Sequence, residues 1–267
     1  IKEHFELAEI LKEGGFYVDE VPTLIRACHA GALVATEKLL EMVDSPNESG
    51  NLWNYYNLNA TPLTASALAG NTEIVKLLIQ AGANVSATDP RGITPWAAAA
   101  SGDHLEVCKI LEDNGAEPDA SHALVVAADR CRTDVLENLL DQVAIDETRL
   151  LDGAPVTAVE AAIIGGYSKL DGEDEAVGKD EELIAEAVGF LIKHGVPPGT
   201  IGEDGNALIH KATKSANQPV VRLLAENGAD VDVENSEGES PLAIAVSSSK
   251  SLVPTLIHMT NIVLISL

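Results

Sequence analysis

The most regular stretch of the chain runs from Leu58 to Asp89, where two short apolar segments are each closed by a glycine. Thr61 is placed to cap the first segment. Its hydroxyl can satisfy an orphan amide, and Pro62 at the first helical position gives up no needed hydrogen bond. Leu63 then opens an apolar run through Ala65, Ser66 and Ala67, and Gly70 is placed to end that helix in the left-handed conformation. A second helix is predicted from about Thr72, with Ile74, Val75, Leu77 and Leu78 on one face and Gly82 as its terminator.

This pattern recurs. Thr61-Pro62-Leu63 returns 33 residues later as Thr94-Pro95-Trp96, and Ala81-Gly82-Ala83 returns at the same offset as Asn114-Gly115-Ala116. Asn227-Gly228-Ala229 and Ser240-Pro241-Leu242 are later copies, and Gly205 and Gly238 are again 33 apart. Small residues such as Ala97-Ala98-Ala99-Ala100 let the helices of neighbouring units approach closely. Between units, Asp89-Pro90-Arg91-Gly92 places Asp, Pro and Gly where a type I turn wants them, and Asn235-Ser236-Glu237-Gly238 copies those offsets without the Pro.

Through Thr61-Pro62-Leu63-Thr64, Gly70-Asn71-Thr72-Glu73-Ile74-Val75-Lys76-Leu77-Leu78 and Gly82-Ala83-Asn84-Val85, the chain resembles the ankyrin repeat family. The resemblance implies an all-α solenoid of stacked helix-turn-helix units with short β-turn fingers. Laid along the sequence, the 33-residue period predicts a single array over 1–267. It begins with a half repeat at 1–20 and a degenerate repeat with an aromatic insertion at 21–57, followed by units at 58–88, 89–119 and 120–152. A unit at 153–201 carries an acidic insertion at about 167–183, and units at 202–234 and 235–267 complete the array. Asp103 and Cys131 stand where terminator glycines are expected, and Asn261 replaces the last one, which Asn can do.

Composition narrows the class of partner. A formal net charge of −25, from 42 acids and 17 bases, argues against nucleic acid and against anionic membrane surfaces, which are bound by Lys and Arg. With 46% hydrophobic residues the chain is no disordered polyanion. Cys28, Cys108 and Cys131 form no Cys-x-x-Cys pair, and their odd number favours a reducing, intracellular setting, cytoplasmic or nuclear. No run approaches eighteen apolar residues, so no membrane span is expected.

Candidate chemistry is sparse. His104 and Cys108, four apart on a predicted helix, have the spacing of two metal ligands, but no second pair is nearby. The resemblance instead gives His104 the role of supporting a turn. It likewise gives His210 the place of the histidine in the Thr-Pro-Leu-His signature, which stabilises contacts between units. Asp171-Gly172-Glu173-Asp174-Glu175-Ala176 invites a calcium reading but has Ala176 where the sixth-position glycine is needed, so a solvated charge run is the expectation. No nucleophile elbow, phosphate loop or His-Glu-x-x-His motif is found. We therefore expect no enzyme activity, no cofactor and no metal.

Binding is the function the resemblance implies, with a protein as partner. Partners of the family contact the inter-unit turns and the exposed end of the first helix. Carried over by position, the turns give Pro90, Arg91 and Ile93, then Glu203, Asp204 and Asn206, then Ser236, Glu237 and Glu239. The helix ends give Leu68, Ala69, Ser101, Asp129, Arg130, Lys214 and Ser215. Between Arg222 and Lys250 stand Glu226, Asp230, Asp232, Glu234, Glu237 and Glu239 with no base among them, which favours a basic or mixed-charge segment. Trp53, Tyr55 and Tyr56 make the aromatic insertion a further candidate contact.

Two alternatives accompany this scaffold reading. The chain is a holder of a highly basic client, or it is the ankyrin region of a larger channel, enzyme or multi-subunit assembly. The half unit at Ile1 and the apolar Ile262-Val263-Leu264-Ile265 favour the latter.

Overall fold

The computed structural model describes residues 20–51, 59–141, 143–144, 148–151, 154–164, 181–248 and 250–266. Trp53, Tyr55 and Tyr56 lie outside these residues, as does the acidic insertion up to residue 180. The chain divides into two compact units, Ile1–Ala123 with Leu150–Gly153, and Leu124–Arg149 with Ala154–Leu267.

Among the described residues the first unit contains three helix pairs: α1 (Glu20–His29) with α2 (Leu33–Leu40), α3 (Pro62–Leu68) with α4 (Thr72–Gln80), and α5 (Pro95–Ser101) with α6 (Leu105–Asp113). Thr61 and Thr94 cap α3 and α5, their hydroxyls accepting from the amides of Thr64 and Ala97 at 3.1 Å in each case. Proline follows each cap at the first helical position. The first helices α1, α3 and α5 pack side by side, and α4 touches α2 and α6. Leu24, Ile25, Leu63, Ile74, Leu78 and Leu111 fill the space between the layers.

A short antiparallel pair, β1 (Gly50–Asn51) and β2 (Asn59–Ala60), sets Gly50 opposite Ala60. Ala60 joins Ile25 and Ala65 in the core beneath it. Two further strands, β3 (Arg149–Leu151) and β4 (Ala154–Val156), are three residues each. Helix α7 (Ala120–Asp129) carries the boundary between the units.

The second unit holds α8 (Thr133–Leu140), α9 (Ala158–Ile164), α10 (Glu181–Lys193), α11 (Leu208–Lys214), α12 (Gln218–Glu226), α13 (Pro241–Ser248) and α14 (Val253–Ser266), with a 3-10 turn at Lys250–Leu252. First helices α9, α11 and α13 form one layer; α8, α10, α12 and α14 form the other. Ile163, Ile184, Leu191 and Leu224 are fully withdrawn from water between them. Two expectations need correction. Helix α14 runs straight through Asn261, so that residue terminates nothing, and Glu181–Leu183, placed by sequence in the insertion, form the first turn of α10.

Linkage between successive repeats is partly polar. Asn71 donates from Nδ2 to the carbonyls of Cys28 at 2.8 Å and His29 at 2.9 Å, satisfying the open end of α1. One period later His104 does the same for α3, its Nε2 3.1 Å from the Leu68 carbonyl. Glycine is needed where that ring passes, since a Cβ on Gly70 would lie 2.5 Å from His104 Nδ1. The left-handed position after the first helix is occupied by Gly70 at φ +70, and then by Asp103 at +61, Cys131 at +55 and Ala216 at +56.

Candidate protein-binding surface

The inter-unit turns of the second unit are built by side chains that imitate backbone. Asn235 accepts at Oδ1 from the amides of Glu237 at 3.0 Å and Glu239 at 2.9 Å, and its own amide donates to the Glu239 carbonyl at 3.0 Å. Gly238, at φ +76, closes the turn with a bond to the Asn235 carbonyl. In the turn before it, Asp204 Oδ1 accepts from the Asn206 amide at 3.1 Å, and Gly205 takes φ +75. The first unit uses Asp89 for the same purpose: its Oδ1 accepts from the amides of Arg91 and Ile93, both at 2.9 Å.

Successive turns are then joined. Asn235 Nδ2 donates to Asn206 Oδ1 at 3.0 Å, and Ser236 Oγ donates to the Asp204 carbonyl at 3.4 Å. Beneath them runs a chain of charges. Lys211 Nζ lies 2.6 Å from Asp204 Oδ2 and 3.2 Å from Glu160 Oε1. The other Glu160 oxygen accepts from the amide and hydroxyl of Thr157, at 2.8 and 2.9 Å, as half of a capping box at the start of α9. Burial raises the Asp204 carboxyl, but hydrogen bonds from Lys211 and Asn206 outweigh it and hold the group below its ordinary range.

His210 ties the same turns from inside. Fully buried, it accepts at Nδ1 from the Ala207 amide at 3.1 Å, so Nε2 carries the proton toward the carbonyls of Val233 at 3.0 Å and Glu239 at 3.1 Å. The histidine therefore supports the turns, and none of its ring atoms is offered to a ligand.

The positions carried over from the family pattern separate by depth. Pro90, Glu203, Asp204, Ser236, Glu237 and Lys214 are exposed, Glu239 and Arg130 are half-buried, and Leu68, Ala69 and Ser215 are half-buried as well. Ile93 and Ser101 are 3% and 1% exposed, and Arg91, Asp129 and Asn206 are buried too, which removes these five from any free surface. Ile93 points inward as its amide closes on Asp89, and Ser101 spends its hydroxyl on the Ala98 carbonyl at 2.8 Å. Asn206 is consumed by the bond to Asn235. Glu160 and Lys211 were not singled out by sequence, although Thr157-Ala158-Val159-Glu160 carries the capping-box spacing that would have found the first.

Around these turns the exposed charge is mostly acidic, with Lys214 as an exposed base whose Nζ donates to Asn206 Oδ1 at 3.4 Å. Glu203, Glu226, Asp230, Asp232, Glu234 and Glu237 are exposed, and no Lys or Arg occurs between Arg222 and Lys250. Elsewhere the chemistry is quiet. Cys28, Cys108 and Cys131 are buried free thiols, and burial pushes Cys28 and Cys108 up to about 12. Among the described residues no group of three His, Cys, Asp or Glu side chains could hold a metal, and no helix is long and apolar enough to cross a membrane.

The family profile for ankyrin repeats (3 copies) matches residues 24–122, 67–150 and 177–265. The chain is 34% identical over 121 residues to the Ankyrin repeat and KH domain-containing protein CBG24701 of Caenorhabditis briggsae, covering 43% of this chain and 4% of that protein. It is 36% identical over 96 residues to the Ankyrin repeat and KH domain-containing protein mask of Drosophila melanogaster, covering 33% of this chain and 2% of that protein. The chain thus spans a few per cent of the length of these relatives. The crystal structure of the human ASB11 ankyrin repeat domain superposes with a TM-score of 0.54 at 22% identity, over 88% of this chain and 96% of that one, a likeness of fold. Matched over most of its length and built of stacked helix pairs joined by left-handed turns, this chain belongs to the ankyrin repeat family, whose repeats are generally non-catalytic modules of protein–protein interaction.

Proposed function

We propose that the second unit is a non-catalytic docking scaffold whose turn tips receive a basic or mixed-charge segment of a protein partner. The observation that carries this reading is the sign of the tips. Glu234 and Glu237 are exposed with Asp230 and Asp232 on a stretch without a base, and Glu203 is exposed on the turn before, while the turns beneath are held by Asn206, Asn235 and His210. Rigid turns cost little ordering on binding, and a predominantly acidic edge steers a cationic segment and sets its register. Burial of all three thiols in the free form supports an intracellular setting, cytoplasmic or nuclear.

The test is a charge reversal read through salt. A partner recovered by affinity purification from the native source and identified by mass spectrometry is titrated against the wild type and against Glu234→Lys/Glu237→Lys/Glu239→Lys. We expect affinity to fall on the order of tenfold and its salt dependence to flatten. Unchanged affinity across the salt titration would sink the reading. A second reading, that these repeats are the targeting region of a larger protein or assembly, is favoured by the few per cent of each relative's length that the chain covers.

A further inference from the structure

A second surface of different chemistry lies on the layer of second helices. There α8, α10 and α12 leave a groove of about 500 Å³ whose apolar floor is Phe190, Leu223 and Gly189. Phe190 is half-buried and held in place: its ring stacks on His194 with centroids 4.1 Å apart, and His194 Nδ1 lies 2.8 Å from the Phe190 carbonyl. The rim carries Asp134, Glu137 and Glu186, all exposed, against Lys193 as the base among its lining residues.

Gly189 is the informative residue. A glycine inside α10 weakens the helix relative to alanine, and here its φ is ordinary. Nothing forbids a side chain, because a Cβ at this position would meet Leu223 Cδ2 at 3.5 Å and Cδ1 at 3.8 Å, ordinary contacts. The missing methyl therefore serves neither backbone conformation nor close packing. What it does is keep the floor of the groove open beside Phe190.

We propose that this groove is a docking site for a short basic peptide segment that seats one apolar side chain on Phe190, Leu223 and Gly189 while its Lys or Arg residues meet Glu137 and Glu186. Charge complementarity selects this occupant. Asp134 is already paired with its neighbour Arg132 at 2.9 Å, so the rim acids left to an incoming base are Glu137 and Glu186, which outnumber Lys193 in a chain of net charge −25. An aromatic floor with an acidic rim matches an apolar anchor flanked by bases. The site is separate from the turn tips and stands independently of the reading above.

The test uses the 267-residue chain and a fluorescein-labelled peptide, Arg-Lys-Leu-Leu-Lys-Arg, followed by fluorescence anisotropy. Replacing Leu-Leu by Ala-Ala in the peptide, or introducing Phe190→Ala or Glu137→Lys/Glu186→Lys in the protein, is expected to weaken binding on the order of tenfold. Gly189→Ala is the separating variant: it raises the melting temperature and lowers peptide affinity together, which a purely structural glycine would not do. Glu234→Lys/Glu237→Lys leaves this binding within about twofold, the difference between this groove and the turn tips. No binding by the Leu-Leu peptide, binding indifferent to Phe190→Ala and Gly189→Ala, or binding lost only with the turn-tip variant would each overturn the proposal.

Discussion

Lys211 meets Glu160 across a repeat boundary, Nζ to Oε1 at 3.2 Å, with the two side chains 10% and 3% exposed. Removing one partner of such a pair is more damaging than removing both, because the survivor is left as a buried charge. Lys211→Met is expected to cost about 3 kcal/mol, at the lower end for a broken buried pair, since Thr157 still donates twice to Glu160. Adding Glu160→Gln should restore stability to within about 1 kcal/mol of wild type. Urea unfolding of the single and double variants measures both numbers. A double variant as unstable as Lys211→Met would show that the pair acts through packing of the lysine stem.

Acid should reveal the partner on the other side of that lysine. Asp204 is held below its unfolded value of 3.8 because the bonds from Lys211 and Asn206 outweigh its burial. A carboxyl lowered on folding contributes stability that is fully present above about pH 4 and is lost as pH falls through its folded value. Unfolding free energy should therefore drop between neutral pH and pH 3, and less steeply in Asp204→Asn. Some slope will remain, since Asp134 is also held low by its hydrogen bond from Arg132. Parallel acid profiles for wild type and Asp204→Asn would rule out this linkage.

Much of this architecture was legible in the residues, for reasons that can be named. A capping threonine followed by proline has one comfortable conformation, so Thr61 and Thr94 announce helix starts that the structure repeats atom for atom. His210 could be placed because its signature position fixes which turns it reaches. Depth was harder to read. A repeat pattern tells which turn a residue belongs to, but alternate residues of a finger face opposite ways, so Arg91 and Ile93 fall inward where Pro90 stays out, and Ser101, at the end of α5, turns its hydroxyl back on its own helix.

The charged cluster was hidden for a different reason. Glu160 and Lys211 are 51 positions apart and each looks like an ordinary helix residue; only the stacking of α9 on α11 makes them partners. Asn261 shows the converse error. Asparagine tolerates the left-handed turn but does not demand it, so a terminator assigned by position alone gave way to a helix running on to Ser266.

The left-handed turn after each first helix offers a stabilising substitution and its mirror. Ala216 sits at φ +56 with its side chain exposed, a conformation in which a Cβ crowds the following carbonyl and costs roughly 1–2 kcal/mol. Glycine relieves that crowding but loses more freedom on folding, so Ala216→Gly should gain about 0.5–1 kcal/mol and raise Tm by about 1–4 °C. Asp103→Gly, from φ +61, should gain less, because aspartate bonds locally and visits this region more readily. Gly70→Ala runs the other way. It imposes the same backbone strain at φ +70 and drives a methyl to 2.5 Å from His104 Nδ1, displacing the ring whose Nε2 meets the Leu68 carbonyl. A loss of about 2 kcal/mol or more is expected, read by calorimetry alongside the two glycine variants. If Ala216→Gly melts at or below wild type while Gly70→Ala is tolerated, the turn in these repeats is not governed by left-handed strain.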